Sequence, residues 1–222
     1  MLNSPRTHRV ALGVVAAGSA LALAACGGPD PQADATPEAT EVVEEETPEV
    51  DTADFNQGPI PDAAPEVTEE DLPAEPDSAA PLGDRIAWEA LEQVSVFASV
   101  VDPDATSTCP DIAGTEGESA TCTVSFLGEE FDYTITVESS GVLISYQQEL
   151  PEGPLVREAV EDTLRVQAET EYVLCDMEAD LVRGEPDTDA PFTCLALDET
   201  TGEADEYTLS ISMYGAFTFF VV

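Results

Sequence analysis

The chain contains no lysine and one histidine, His8, and its six arginines stand against 47 acidic residues. With no lysine, no side-chain amine is available for Schiff-base chemistry. Phosphate recognition needs clustered basic side chains, and a surface this anionic repels phosphates and anionic headgroups, so nucleic-acid binding is excluded. Long apolar runs are missing too. The longest, from Val10, covers about 16 residues, short of the roughly 20 that a membrane-spanning helix needs.

What is present begins with the order of the N-terminus. Arg6, His8 and Arg9 precede the apolar run, which leads into Leu23-Ala24-Ala25-Cys26-Gly27. This order resembles a bacterial lipoprotein signal. The resemblance implies that residues 1–25 are a signal peptide, that a diacylglyceryl group is joined to the Cys26 thiol, and that cleavage falls before Cys26. It also implies residence at the extracytoplasmic face of the cell membrane, with the membrane as partner through the lipid on Cys26. Two acyl chains anchor stably where a single chain binds only marginally, so Cys26 reads as an anchor without a catalytic role. Removing the segment leaves Arg85, Arg157, Arg165 and Arg183 against all 47 acids, a net charge of −43. Without imidazole there is no Ser-His-Asp or Cys-His arrangement. No catalytic residues, no metal site and no cofactor are expected.

Residues 26–81 form the second region. Between 27 and 81 there are 17 acidic residues, ten prolines and no basic residue. That composition predicts a disordered, lipid-anchored stalk. Like charges and prolines extend it beyond the roughly 40 Å of a flexible coil of about 55 residues. Phe55 is its one aromatic side chain, and a partner-binding motif around it is the functional alternative to a solvated spacer.

The four remaining cysteines, Cys109, Cys122, Cys175 and Cys194, are an even set in a chain that the signal directs outside the cytoplasm, where disulfides are the default. Separations of 12, 52 and 18 residues lack the close pairs usual in a tetrathiolate zinc site. The chain also repeats itself. Asp132-Tyr133-Thr134-Ile135-Thr136-Val137 aligns without gaps on Glu206-Tyr207-Thr208-Leu209-Ser210-Ile211, continuing to Gly141 and Gly215, and Thr121-Cys122 matches Thr193-Cys194. Only the pairs Cys109–Cys122 and Cys175–Cys194 give both halves the same bridge; the other two pairings cross-link the halves.

Each half reads as a helix followed by strands. Ala87, Leu91, Val94 and Ala98, with Ala90, Phe97 and Val101 beside them, form an apolar helical stripe with Asp84 as the expected cap. In the second half Val156, Ala159, Val160, Leu164 and Ala168 form the corresponding stripe, with Pro154 in the first turn. Phe131, Tyr133, Ile135 and Val137 alternate with polar residues, Ser139-Ser140-Gly141 turns the chain, and Val142, Ile144 and Tyr146 return it. Tyr207, Leu209, Ile211 and Met213 repeat the pattern, with a turn at Tyr214-Gly215 and a return through Phe217, Phe219 and Val221. The fold class expected is α+β: two tandem repeats, 82–150 and 151–222, each a helix on an antiparallel sheet with one internal disulfide.

Cys109-Pro110-Asp111, then Gly117-Glu118-Ser119-Ala120-Thr121-Cys122-Thr123-Val124, then a Tyr-Thr-Ile-Thr-Val strand and a glycine turn resemble the domain of unknown function catalogued as family 4333, found on actinobacterial lipoproteins. Residues 82–148 carry the resemblance, and 154–222 carry it more loosely, because Cys175 lacks the following proline. The resemblance implies an extracytoplasmic location and a cysteine pair, and it transfers no catalytic residue.

These features point to a non-enzymatic binding or interaction module of the cell envelope, with an envelope or secreted protein as partner and Trp88, Tyr146, Tyr172 and Tyr214 as interface aromatics. Paired helix-on-sheet units with one disulfide each also resemble the β-lactamase inhibitory protein, in architecture alone. A hydrolase using two carboxylates is the first alternative. Divalent-cation binding through Asp102-Pro103-Asp104 or Asp187-Thr188-Asp189 is the second. Crowded carboxylates repel one another most at low ionic strength, so the melting temperature should rise with added salt. A melting temperature flat between low and high salt contradicts this.

Overall fold

In a computed structural model of the chain, residues 52–140 and 144–222 are described. The signal segment 1–25, Cys26 and the stalk as far as residue 51 lie outside the described residues, as do Gly141 and Val142. The described chain is α+β, built from two helices, antiparallel sheets and two disulfides.

Helix α1 (Leu82–Ala98) lies on a four-stranded sheet of β2 (Thr106–Thr108), β3 (Ser119–Phe126), β4 (Glu129–Ser139) and β5 (Ser145–Glu149), in that order. Phe131, Tyr133, Ile135 and Val137 of β4 are buried under the helix while Asp132 and Thr136 face solvent. From α1 they meet Ile86, Ala90, Leu91, Val94, Phe97 and Ala98, one stripe at helical spacing. Ser99, in the left-handed region at φ 53°, ends the helix. Asp84 is not the cap expected for it. Pro81 holds that position, and Asp84 sits in the first turn, where its charge complements the helix dipole. Ile144, expected on the return strand, lies outside β5 and is exposed.

The second half starts with β6 (Gly153–Val156), then α2 (Arg157–Ala168), β7 (Tyr172–Cys175), β8 (Leu181–Gly184), β9 (Asp189–Asp198), β10 (Glu203–Ile211) and β11 (Phe217–Val221). Strands β7, β9, β10 and β11 are neighbours in that order, and β6 and β8 form a separate two-stranded ribbon. Pro154, expected in the first turn of the second helix, belongs instead to β6, opposite Arg183. A two-stranded ribbon leaves one side of each strand unpaired, and a residue without an N–H is tolerated there. The helix begins three residues later.

The structure joins Cys109 to Cys122 and Cys175 to Cys194. Cys122 lies opposite Tyr133 across β3 and β4, and Cys194 lies opposite Tyr207 across β9 and β10. Closing loops of this size contributes about 3 kcal/mol each in the chain-entropy model.

The two halves share one apolar core. Its junction is Phe97, fully buried near the end of α1. A Cβ at Gly153 would run into the Phe97 ring, and one at Gly215 would run into the Phe97 backbone and side chain. Gly215 also has φ 83°, which an L side chain rarely adopts. Arg183 of β8 ties the halves again: its guanidinium stacks 4.6 Å from the centre of the Phe131 ring and donates to the Glu130 carbonyl at 2.8 Å.

The largest departure from expectation is the stalk. Residues 52–81 do not run free: they form a strap over both halves. Strand β1 (Asn56–Gln57) adds to the edge of β7, Val67 is buried, and the carbonyl of Pro73 accepts a 2.7 Å hydrogen bond from the Trp88 indole. Thr68 donates its N–H and hydroxyl to the Asp71 carboxylate, which shapes a 3-10 turn at Glu69–Asp71 and holds Asp71 below the usual carboxylate range. An extended segment of this composition need not bury a core of its own. It can dock single side chains and one short backbone ladder on a surface that is already folded.

Truncating Phe97 empties the junction, so Phe97→Ala should cost about 3–5 kcal/mol, and Gly153→Ala about 1–3 kcal/mol through overpacking. Urea denaturation of the two variants checks this. A loss below 1 kcal/mol for Phe97→Ala would show that the halves do not depend on this contact.

Candidate functional site

Three separate pieces of chain meet beside α1. The helix face away from the core carries Trp88, Glu89, Glu92 and Gln93, at the spacings that place side chains together on one side of a helix. The sheet supplies Tyr133 from β4 with Tyr146 and Gln148 from β5. The strap supplies Glu69 and Glu75. Together they line an open pocket of ≈ 520 Å³ with four carboxylates, an indole and two phenols, and no cationic side chain.

Its hydrogen bonds order the walls. The Tyr146 hydroxyl donates to the Glu89 carboxylate, 2.7 Å from each oxygen, and the bond from the Trp88 indole to Pro73 fixes the ring against the strap. Tyr133 is 1% exposed, and among the described residues its hydroxyl has no hydrogen-bond partner. Burial, then the neighbouring Glu89 carboxylate, pushes the Tyr133 phenol far above its ordinary range; burial and the bond to Glu89 do the same for Tyr146. Both phenols therefore stay neutral. Burial first, then the charges of Glu69, Glu89 and Glu75, raises the Glu92 carboxyl above its usual range. The pocket concentrates negative potential and offers one unused, neutral hydroxyl.

A second charged cluster holds the strap down. Glu161 and Arg165 of α2 are buried and 3.4 Å apart, and Arg165 also pairs with Asp162 at 2.7 Å. Asn56 donates to Glu161 at 2.8 Å, and its carbonyl accepts from Arg165 at 3.1 Å. Gly58 passes so close over this guanidinium that a Cβ there would lie 2.9 Å from its central carbon. Arg157 reaches Asp180 at 3.1 Å and donates to the Cys175 and Met177 carbonyls. The terminal nitrogens of both guanidiniums are bonded within the chain, and Arg165 Nε is buried without a partner among the described residues.

Of the residues expected at an interface, Trp88 and Tyr146 come together in the pocket, whereas Tyr172 lies in β7 and Tyr214 is exposed in the turn before β11. Phe55 is half-buried next to β1. Asp102 spends its carboxylate on backbone, accepting from Asp104 at 3.0 Å and Leu127 at 2.6 Å, and Asp189 begins β9. Among the described residues no group of three or more histidine, cysteine or acidic side chains is placed to hold a metal ion. Sequence reasoning passed over Tyr133, which reads as core, and Glu69 and Glu75, which read as stalk. Trp88 with Glu89 and Glu92 on the polar face of α1 was the signal that could have drawn attention to the pocket.

A raised carboxyl pKa means that the native state holds the Glu92 proton more tightly than the unfolded chain. Stability is then gained as pH falls through that raised value and lost as pH climbs through it. Glu92→Gln should therefore melt higher than the parent at pH 7, with the difference closing below about pH 4.3, the ordinary glutamate value. Thermal melts of the two proteins at pH 7 and pH 4 read the sign directly; an equal or lower melt for the variant at pH 7 contradicts it. Set against protein families, curated proteins and solved structures, the chain matches none of them.

Proposed function

We propose that this chain is a non-enzymatic binding module of the cell envelope, lipid-anchored through Cys26 on the extracytoplasmic face. The observation that carries the reading is the pocket beside α1. Aromatic and acidic side chains from helix, sheet and strap converge there on a neutral hydroxyl without a partner. Aromatic anchors in a concave, polar-rimmed site are the usual ingredients of recognition. Tyr214, Phe220 and Val221, exposed at the opposite edge of the second sheet, offer additional contact surface.

The module is built, in this reading, from two tandem copies of a domain like family 4333. Three features support the duplication. The strand orders β2-β3-β4-β5 and β7-β9-β10-β11 correspond, each half closes its own disulfide, and the second cysteine of each half faces the tyrosine of the repeated motif. The loop between cysteines is six residues longer in the second copy, and β8 lies in it.

Hydrolysis by two carboxylates is the second reading, favoured by Glu89 and Glu92 lining one pocket with Glu92 raised by burial. Glu89 already takes the Tyr146 hydroxyl on both oxygens, which suits a wall better than a nucleophile.

The test is capture from native envelope by the whole chain, since a fragment starting at residue 82 would lack Glu69 and Glu75, with a reduced and alkylated control. The expected result is a component bound saturably by the disulfide-intact chain and released unaltered. Glycan cleavage that Glu92→Gln abolishes, or capture equal in the control, overturns the binding reading.

A further inference from the structure

The chemistry of the pocket narrows what it takes. Four carboxylates, from Glu69, Glu75, Glu89 and Glu92, face a common space that no basic side chain lines. A low-dielectric cleft lined by one sign of charge concentrates the opposite ion. A divalent metal would need several oxygens converging on one point, and among the described residues no such group exists. The walls instead combine carboxylates with the hydroxyls of Tyr133 and Tyr146 beside Trp88, a setting in which an organic cation gains both ion pairing and hydrogen bonds.

Tyr133 supplies the second, independent indication. Its side chain is almost wholly buried, yet its hydroxyl lines the pocket and meets no partner among the described residues. The hydroxyl reaches the open pocket, where a donor from a ligand would give it the partner that the chain does not. The phenol oxygen can accept one N–H. A slim group with its donors at the tip suits a single acceptor flanked by carboxylates, which describes an ammonium on an alkyl stem better than a planar guanidinium that seeks a bidentate face.

We propose that this pocket binds a protonated primary amine, with the ammonium hydrogen-bonded to the Tyr133 hydroxyl, its charge offset by Glu89 and Glu92, and its stem against Trp88. The inference rests on the binding-module reading. The amine comes either from a lysine side chain on a protein partner or from a free small molecule; the chemistry recognised is the same. Arg85, one turn before Glu89 on α1, is the internal competitor: its charge reaches Tyr146, and it forms no ion pair among the described residues. The charged groups that line the space around the ammonium are thus Glu89 and Glu92 from the helix and Glu69 and Glu75 from the strap, with the neutral Tyr133 and Tyr146 from the sheet and Arg85 outside the lining, close enough to act on Tyr146.

Trp88 is the only tryptophan in the chain, so tryptophan emission excited beyond the tyrosine absorption band reports on this pocket alone. Titrating the whole chain with butylammonium at constant ionic strength should give a saturable change, and butanol or sodium chloride should give none. Glu92→Gln and Tyr133→Phe should each weaken the apparent affinity about tenfold, as expected for losing a bond to a charged group. Unchanged far-ultraviolet circular dichroism shows that the variants fold, and Glu92→Gln, on the helix surface, keeps the test open if Tyr133→Phe perturbs the core. A response that does not saturate, that butanol reproduces, or that both variants leave unchanged overturns the proposal. Adding butylammonium to the envelope capture separates the two sources: release of a bound protein assigns the amine to a partner lysine, and retention alongside saturable butylammonium binding assigns it to a free amine. Capture that persists while butylammonium fails to bind overturns the ammonium inference and leaves the binding-module reading standing.

Discussion

The phenyl ring of Phe97 occupies space that exists only because positions 153 and 215 carry no Cβ. Each half of the described chain is a thin layer, one helix on one sheet, and units of that size bury a small fraction of their surface when alone. Seating the end of α1 against β6 and the turn before β11 turns two thin layers into one continuous core. The position of α1 then determines much else. Its inner side packs on β2, β3 and β6, while its outer face meets the strap and forms one wall of the acidic pocket.

Charge explains how the few cations are used. With 47 acids in the chain, an arginine left on the surface would be one of very few positive points. Arg157 and Arg165 are instead turned inward to bind Glu161, Asp162, Asp180 and backbone carbonyls, and Arg183 bridges to Phe131 and Glu130 across the halves. Burying Glu161 with Arg165 is tolerable because the carboxylate and both terminal guanidinium nitrogens are paired, the strap contributing Asn56, while Arg165 Nε meets no partner among the described residues. Elsewhere acidic side chains satisfy local backbone: Glu118 accepts from Ala113 and Thr115, and Asp198 from Thr200 and Thr201, which lowers both carboxyls below their usual range. The pocket beside α1 is the contrasting case, where carboxylates gather without a cation among the lining residues.

The strap gives the acidic, proline-rich segment 52–81 a structural role. It starts as an edge strand on the second half, is pinned at Gly58 and Asn56 by the Arg165 cluster, and ends against Trp88 on the first half. The same segment contributes Glu69 and Glu75 to the pocket, so its docking and the make-up of that pocket are coupled.

Hydrophobic periodicity made much of this legible in advance, because a stripe at helical spacing or an alternation of period two encodes which side of an element is buried. The inner faces of α1 and β4, the stripe of Ala159, Val160 and Leu164 in α2, and the alternation of Tyr207, Leu209 and Ile211 all follow that logic. Boundaries followed it less well: Pro154 entered a strand because β8 was there to pair with it, and Asp84 missed the cap because the helix began at Leu82. The sequence by itself determined the elements, their buried faces and the excess of negative charge, since each depends on residues close together in the chain. Only tertiary structure decided that residues 52–81 dock, that two glycines admit Phe97, and that Glu69, Glu92 and Tyr133 share one pocket, because those facts depend on the separation of side chains brought together from distant parts of the chain.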